Sequence, residues 1–315
     1  MKQTYPWGHT RRFNDFPGHI RRLFNRRVQK ISLDTGFTCP NRDGSRGRGG
    51  CTYCNNQTFN PAWCELEVPI REQLDRGMAF FSDKYPDMTY MAYFQSYTNT
   101  YAPLENLRQL YEEALAHPRV TGLVVATRPD CVNDEILDYL AELARRTYVM
   151  VEYGIESHLD RTLLAINRGH TFAESVHALE ETSRRGIRTC AHLILGLPGE
   201  TREDFLEQAR VVSALPVENL KLHQLQIHKG TVMARQFASN PDAFTLFSAE
   251  EYTALVVDYL ELLNPAIIVE RFVSQAPAEL LVAPRWGLKN FEFVARVEKL
   301  LKERDTWQGR CFNLD

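Results

Sequence analysis

The chain has 315 residues, of which 44% are apolar and 24% charged, a globular composition that excludes a wholly disordered protein. This length suits one large α/β domain with a small appendage, or two domains, and the net charge of −3 is too small to indicate a polyanionic partner for the whole protein. No apolar stretch approaches the roughly 20 residues of a membrane span, and residues 1–9 lack the apolar core of a signal peptide, so we expect a cytoplasmic protein.

Basic residues are concentrated near the N-terminus. The first thirty residues contain one acid, Asp15, and eight basic residues, namely Lys2, Arg11, Arg12, Arg21, Arg22, Arg26, Arg27 and Lys30. Such a patch can attract phosphate backbones. The alternative is a solvated surface segment that packs on the domain. We predict a basic N-terminal extension over residues 1–27.

Short β-rich runs alternate with helical patterns from residue 28 onward. Strands are predicted at 28–34, 89–95, 121–127, 148–154, 187–195 and 217–226, and helices at 68–84, 103–116, 133–146, 171–185 and 201–215. The run Gly-Leu-Val-Val-Ala at 122–126 is apolar almost throughout, as expected for a strand buried on both faces. Thr201 and Asp204 form a capping signal at the start of the last of these helices.

This alternation predicts an α/β fold with a parallel sheet, because right-handed crossovers join successive parallel strands. No GxGxxG follows any strand, so we predict a partial (β/α)6 TIM-like barrel over residues 28–235 and not a nucleotide-binding sheet. Residues 236–315 are predicted to form a small C-terminal α/β extension, with helices at 249–263 and 290–304 and a short strand at 267–271.

Three of the seven cysteines follow the first predicted strand as a C-x11-C-x2-C array, namely Cys39, Cys51 and Cys54. Ligands separated by two residues, as Cys51 and Cys54 are, can hold one metal centre, and the glycine-rich run at 41–50 lets Cys39 fold back onto it. A four-iron cluster with three thiolate ligands has one open iron, whereas ferredoxin clusters use four cysteines. An open iron can chelate the amino and carboxylate groups of S-adenosylmethionine (SAM), whose reductive cleavage yields a 5′-deoxyadenosyl radical.

A structural zinc site built from these three cysteines and Cys64 is the alternative, although zinc sites usually present two close pairs of ligands. The remaining cysteines, Cys131, Cys190 and Cys311, have no close partner in the sequence. We interpret them as small buried hydrophobic residues. Disulfides are not expected, because the cytoplasm is reducing.

With this array the chain resembles the radical SAM superfamily over residues 28–235. It is most similar to an uncharacterised bacterial family in the branch of the elongator acetyltransferase catalytic subunit and oxygen-independent coproporphyrinogen oxidase. The wide cysteine spacing departs from the superfamily's common C-x3-C-x2-C but matches the longer arrays of this branch. The resemblance implies a [4Fe–4S] cluster, SAM and an external one-electron donor such as a flavodoxin or ferredoxin.

The resemblance also assigns a SAM pocket at the ends of the strands. Tyr53 matches the aromatic position beside the adenine. Ser96, Tyr97 and Thr98 stand where relatives carry a glycine-rich segment that meets the methionine amino group, and they carry over by position only. Ala126, in Ala-Thr-Arg-Pro-Asp, replaces a glutamate of the relatives.

The best match is Val-Glu-Tyr-Gly-Ile-Glu-Ser at 151–157, followed by Asn-Arg-Gly-His at 167–170. By this match Glu156, where relatives have glutamine, would hydrogen-bond the ribose hydroxyls. Arg168 would pair with the SAM carboxylate, whose geometry suits a guanidinium fork. His192 corresponds to a strand residue that points at SAM or substrate in relatives, and a structural core histidine is the alternative. Three further residues are candidates for facing the substrate: His223, Gln226 and His228.

Together these observations predict a radical SAM enzyme that acts on a modified tRNA base, a small metabolite or a protein side chain. The basic N-terminal segment and the tRNA-acting elongator relative favour RNA. The alternative function is a zinc-stabilised RNA-binding or scaffolding module without catalysis.

Overall fold

A computed structural model describes residues 4–313 apart from residues 59, 83, 84 and 86. Lys2 of the basic segment and Lys84 at the predicted end of the first barrel helix lie outside the described residues. The strands of the described part are β1 Val28–Leu33, β2 Thr89–Phe94, β3 Val120–Thr127, β4 Tyr148–Glu156, β5 Arg188–Leu195, β6 Asn219–Gln224, β7 Ile227–His228, β8 Ile268–Arg271 and β9 Leu281–Ala283. Its α-helices are α1 Phe16–Phe24, α2 Pro40–Asp43, α3 Ile70–Ser82, α4 Leu104–Leu115, α5 Asp134–Ala144, α6 Asp160–Ala165, α7 Phe172–Arg184, α8 Arg202–Ser213, α9 Val232–Ser239, α10 Ala249–Leu262 and α11 Asn290–Glu303.

The main sheet contains seven parallel strands in the order β1-β2-β3-β4-β5-β6-β8, curled into a half-barrel, and β7 pairs with β9 in a separate antiparallel ribbon. Helices connect successive strands and bury their apolar faces against the outer face of the sheet in one continuous core. The capping box predicted at Thr201 and Asp204 is present at the start of α8, where each residue's side chain accepts from the other's backbone N–H. The predicted α/β half-barrel is confirmed.

The barrel has one strand more than predicted. Strand β8, which the sequence pattern placed in the C-terminal extension, pairs with β6 in the main sheet, and α10 forms the crossover between them. The β7 strand, helix α9 and a loop lie between β6 and α10, so this β-α-β unit is longer than its predecessors. That insertion broke the even spacing on which the six-strand prediction rested.

The N-terminal segment closes the lower mouth of the half-barrel, at the N-terminal ends of the strands. Helix α1 begins at the N-cap Asp15, whose carboxylate accepts from the Gly18 N–H at 3.0 Å, and it buries Ile20 among inward-facing side chains of β2, β3 and β4. The ring of Phe24 packs 5.7 Å from Tyr148 at the start of β4. The described part of the basic segment is therefore packed on the fold, while Arg21, Arg22, Arg26 and Arg27 are exposed.

The division of the chain into 1–27, 28–235 and 236–315 stays a prediction. Contacts link its outer segments, since the Asn14 N–H donates to Gln308 Oε1 at 2.9 Å and Arg12 pairs with Asp305 at 2.9 Å. Among the described residues, no helix has the combined length and apolar character needed to cross a lipid bilayer.

Candidate functional site

A cavity of about 170 Å³ opens at the carboxyl ends of the strands, where parallel barrels usually carry their sites. Cys39, Cys51 and Cys54 all line it, although they come from different turns of the loop after β1. Cys39 is the N-cap residue of α2, and the Cys54 N–H donates to the Cys51 carbonyl at 3.1 Å in a tight turn. All three thiols are free. The C-x11-C-x2-C array thus converges on one cavity.

Cys64 lies outside this group. Its thiol donates to the Ser32 carbonyl at 3.0 Å, and it does not line the cavity. Burial raises the pKa of the Cys64 thiol to about 12, with a smaller contribution from Asp34, so the group is a neutral donor. This environment suits a buried structural cysteine better than a fourth metal ligand.

Two side chains direct N–H groups at the sulfur of Cys51. Asn41 Nδ2 lies 3.6 Å from it, and Arg168 Nη1 lies 3.5 Å from it. Donors of this kind orient cysteine ligands and tune iron–sulfur clusters. Burial and the neighbouring Cys51 raise the pKa of the Cys54 thiol to about 11, so iron binding would release a proton there. The donor set fits a cluster.

The bulge at the end of β4 brings Glu156 and Arg168 together beside the cysteines. Arg168 Nη2 donates to the carbonyl of Gly154 and lies 3.7 Å from Glu156 Oε1. A side chain at Gly154 would meet both groups at 2.7 Å, so only glycine permits this approach. Glu156 itself adopts a left-handed backbone with φ of 71°, a conformation that is uncommon outside glycine and concentrated at functional sites.

Of the five other residues assigned to the SAM pocket, four line the cavity and one does not. Tyr53, Tyr97, Thr98 and His192 line the cavity. Ser96 does not; it is buried, and its hydroxyl donates to Asn60 Oδ1. Tyr97 has a left-handed backbone with φ of 63°, a conformation that glycine adopts more readily, at the position where relatives carry a glycine-rich segment.

The floor of the cavity is a buried ion network centred on Glu152, a residue with no exposed surface. Its carboxylate accepts from Lys30 at 2.6 Å, Lys221 at 2.7 Å and the Tyr93 hydroxyl at 2.7 Å, and lies 3.0 Å from His192 Nε2. Both lysines also bind Glu270, at 2.6 Å and 3.1 Å. Burial alone would raise the pKa of Glu152, but Lys221 and Lys30 hold it well below its usual value.

Some side chains at the floor of the cavity carry atoms of the kinds that bind metal ions. Oxygen, sulfur and nitrogen atoms of Glu152, Cys190 and His192 lie within 4.8 Å of one another. The two ammonium groups bound to Glu152 would repel a cation. Burial, followed by the charge of Glu152, raises the pKa of the Cys190 thiol well above its usual value. These residues therefore form an ion network and not a second metal centre.

Two family profiles cover most of the chain. That of the radical SAM superfamily matches residues 39–212, and that of the radical SAM C-terminal domain matches residues 217–303. The chain belongs to the radical SAM superfamily. Its members use a [4Fe–4S] cluster and SAM, and the resemblance inferred from the cysteine array is confirmed.

The chain is also similar to individual proteins and to a solved structure. The uncharacterized protein YtqA of Bacillus subtilis is 39% identical over 313 residues, which span 99% of this chain and 97% of that protein. A tRNA uridine(34) acetyltransferase of Dehalococcoides mccartyi is 25% identical over 190 residues, 59% of this chain and 39% of that protein. The structure of the archaeal Methanocaldococcus infernus Elp3 with an N-terminal deletion has a TM-score of 0.65 at 15% identity, covering 89% of this chain and 64% of that one, and shows the same fold.

Several residues of this radical SAM cavity had no predicted role. Glu152 lies inside the best-matching motif, but the match assigned it nothing, and the cavity residues Tyr93, Lys221 and Arg271 belong to no motif. The same holds for Lys30 and Glu270, which belong to the ion network but do not line the cavity. One available signal was a charge inside an apolar strand, as at Lys221 in Asn-Leu-Lys-Leu, because a buried charge requires a partner. The substrate-facing candidates His223, Gln226 and His228 all line the cavity.

The interpretation of the remaining cysteines needs one correction. Cys190 is fully buried and Cys131 half-buried, but Cys311 is exposed, so it is not a buried hydrophobic residue. It follows α11 in a terminal turn, where its N–H donates to the Glu261 carbonyl at 2.8 Å. This hydrogen bond holds the backbone of Cys311, while its side chain lies at the protein surface.

Proposed function

We propose that Cys39, Cys51 and Cys54 hold a [4Fe–4S] cluster, and that SAM bound beside it starts hydrogen abstraction from a substrate seated deeper in the same cavity. The observation that carries this proposal is the convergence of three free thiols with Glu156 and Arg168 in one cavity. When bound, the cluster and SAM supply a 5′-deoxyadenosyl radical.

The chain's own residues would bind and orient these groups. Arg168 sits beside Cys51, and its buried Nε has no partner among the described residues, so it retains a donor for the SAM carboxylate. Glu156 accepts from the ribose hydroxyls, and Tyr53 covers the adenine. Beneath them His192, held 3.0 Å from Glu152, faces the substrate with its ring fixed by that contact.

Radical SAM enzymes generally need an external one-electron donor, and for this protein we propose a flavodoxin or ferredoxin. A cytoplasmic location belongs to the same proposal, because free thiols are kept reduced there.

The test is anaerobic reconstitution of the purified chain with iron and sulfide, followed by reduction in the presence of SAM. We expect a brown protein with about four irons per chain, as for one [4Fe–4S] cluster, and formation of 5′-deoxyadenosine. Cys39→Ser, Cys51→Ser and Cys54→Ser should each lose the cluster. Cys64→Ser is the matched control and should keep it, because its thiol bonds to a backbone carbonyl outside the cavity.

Two outcomes would contradict the proposal. A colourless protein that purifies with zinc would support the non-catalytic module instead. If Cys64→Ser lost as much iron as Cys51→Ser, the three-ligand cluster would be wrong.

For the substrate class we propose RNA. Two observations support it: the exposed arginines at the C-terminal end of α1 and just after it, and the tRNA named in the D. mccartyi relative. Because α1 lies at the N-terminal ends of the strands, the arginines would contact a part of the RNA remote from the reacting nucleotide.

Replacing Arg21, Arg22, Arg26 and Arg27 with Gln should weaken RNA binding. Each lost phosphate contact should also reduce the slope of log affinity against log salt by roughly 0.7 to 0.9. Affinity for bulk tRNA, measured by filter binding over a salt series, tests this. A native protein that binds no RNA at low salt would redirect the search to metabolites or proteins.

A further inference from the structure

Among the residues that the structure describes, the charges around the cavity floor leave one guanidinium without a partner. Lys30 and Lys221 are balanced by Glu152 and Glu270 in the buried network. Higher in the cavity, Arg128 pairs with Asp130 at 2.8 Å, and Arg168 with Glu156. Arg271, the last residue of β8, lines the same cavity half-buried, and no carboxylate of the described residues lies within ion-pair distance of it.

Arg271 differs in this respect from the other unpaired cation of the cavity. Arg42 is exposed, its guanidinium lies 5.8 Å from the centre of the Tyr97 ring, and it donates to the Cys54 carbonyl at 3.4 Å. Arg271 has no such contacts among the described residues. A half-buried guanidinium without a counter-charge is costly unless something supplies the anion.

His223 is the second unsatisfied group on this wall. Its Nε2 is buried and has no hydrogen-bond partner among the described residues. Burial lowers the pKa of His223 well below its usual value, and His192, Arg271 and Lys221 lower it further, so the ring is neutral at physiological pH. With its proton on Nε2, a neutral ring would offer one N–H.

The segment that carries Arg271 is anchored to β6. The side-chain amide of Gln224 accepts from the Ser274 N–H at 2.9 Å, and both Gln224 and Gln226 donate to the Ser274 carbonyl at 3.3 and 3.4 Å. Strand β8 is itself paired with β6, with Lys221 opposite Arg271. The guanidinium therefore lies on a fixed wall, as a binding group requires.

We propose that Arg271 and His223 form an anion subsite that binds a carboxylate group of the substrate. The proposal rests on the proposed radical chemistry, since it places the anchored part of the substrate in the cavity where hydrogen abstraction would occur. Because an unmodified nucleotide has no carboxylate, an RNA substrate would present this group on a modified base. One unpaired guanidinium neutralises one negative charge, and its planar fork matches the two oxygens of a carboxylate. A phosphate dianion would need a second cation, and both nearby lysines are already paired.

SAM carries a carboxylate of its own, so the test must separate the two sources. The probe is acetate, and its dissociation constant is measured by saturation-transfer NMR on the cluster-loaded protein, with and without saturating SAM. Acetamide is the uncharged probe of the same shape, and inorganic phosphate is the dianionic one. Acetate binding requires neither reduction nor SAM cleavage, so its failure is distinguishable from failure of the proposed enzyme activity.

We expect acetate to bind with SAM present and acetamide not to compete. Arg271→Gln should weaken acetate binding at least about tenfold, as for loss of one charged hydrogen-bonding partner. Arg271→Lys should weaken it less, because it keeps the charge but not the fork. Arg235→Gln is the matched control and should not change acetate binding, since Arg235 is exposed on α9 and likewise lacks a carboxylate partner among the described residues.

Three results would overturn the proposal. Equal acetate affinity in Arg271→Gln and the parent would remove the subsite. Competitive displacement of acetate by SAM would assign Arg271 to the cofactor, and tighter binding of phosphate would refute the carboxylate. Should Arg271→Gln fail to fold, Arg271→Lys and His223→Leu decide, and unchanged acetate affinity in both would equally overturn it.

Discussion

Replacement of Glu152 by Gln tests whether the buried network holds the half-barrel together. One carboxylate oxygen of Glu152 accepts from Lys30, and the other accepts from Lys221 and Tyr93 and contacts His192. A glutamine has one side-chain oxygen in place of two, and that oxygen can accept from Lys221 and Tyr93. Its NH2 then faces the ammonium of Lys30, donor against donor.

The expected cost follows from the charges. With Glu152 ionised, two ammonium groups face two carboxylates, and the buried set is neutral. Glu152→Gln leaves two cations and one anion among buried side chains. Removing one partner from a buried ion pair typically costs about 3–5 kcal/mol. We expect a loss of this size in the free energy of unfolding, a large share of the roughly 5–15 kcal/mol of an ordinary domain.

Denaturant unfolding of the cluster-free protein, followed by tryptophan fluorescence, measures this loss. Lys221→Met should cost a similar amount, whereas the double variant should cost clearly less than the sum, because Lys30 and Glu270 remain as a balanced pair. Glu250→Gln, which breaks an exposed pair with Arg296, is the control and should change stability little. Parent-like stability of Glu152→Gln, or strict additivity in the double variant, would refute the argument.

Two further predictions concern Arg168 and Glu200. Arg168→Lys should raise the dissociation constant of SAM about tenfold with full iron content, because lysine cannot pair bidentately with a carboxylate; calorimetry on reconstituted protein would contradict this if affinity were unchanged. Burial raises the pKa of Glu200 to about 7, so the folded state holds its proton more tightly than the unfolded state, and stability falls as pH rises from about 4.5 to about 7. Glu200→Gln should reduce this dependence of unfolding free energy on pH by up to about 1.4 kcal/mol per pH unit. Denaturant unfolding at about pH 5 and about pH 8 measures the change, and an unchanged difference between the two would contradict the prediction.

The sheet could be predicted because several of its strands are apolar through the middle and its helices are amphipathic, two local properties with distinct periods. The cysteine array was equally local, since ligand spacing is written in the sequence. Strand β8 was recognised as a strand but not placed in the sheet. Its placement depends on the crossover formed by α10, which lies beyond the inserted β7 and α9.

The ion network could not be predicted in the same way. Lys30 and Glu270 are 240 positions apart in the chain and belong to the two edge strands, β1 and β8. They meet at 2.6 Å because the sheet curls and brings its edges toward each other. The sequence contains these charged residues inside its strands, but no motif assigns them a role, and the curvature that pairs them is not visible in a local pattern. The folded sheet shows that Lys30 and Lys221 are neutralised by Glu152 and Glu270, and that Arg271 has no carboxylate partner among the described residues.

The alternation of side chains along β4, β5 and β6 divides the cavity into two depths. Glu156 stands at the rim with the cysteines and Arg168, and two inward positions further down the same strand lies Glu152. His192 and Lys221 contact Glu152 at that lower level, and His223 follows Lys221 one inward position higher. On the proposed function, a substrate held between Ile194 and His223 would lie below the rim and above a floor whose charges are already balanced. Because Lys30 and Lys221 are already paired, they do not compete for the proposed substrate carboxylate, and Arg271 is the cation that would bind it.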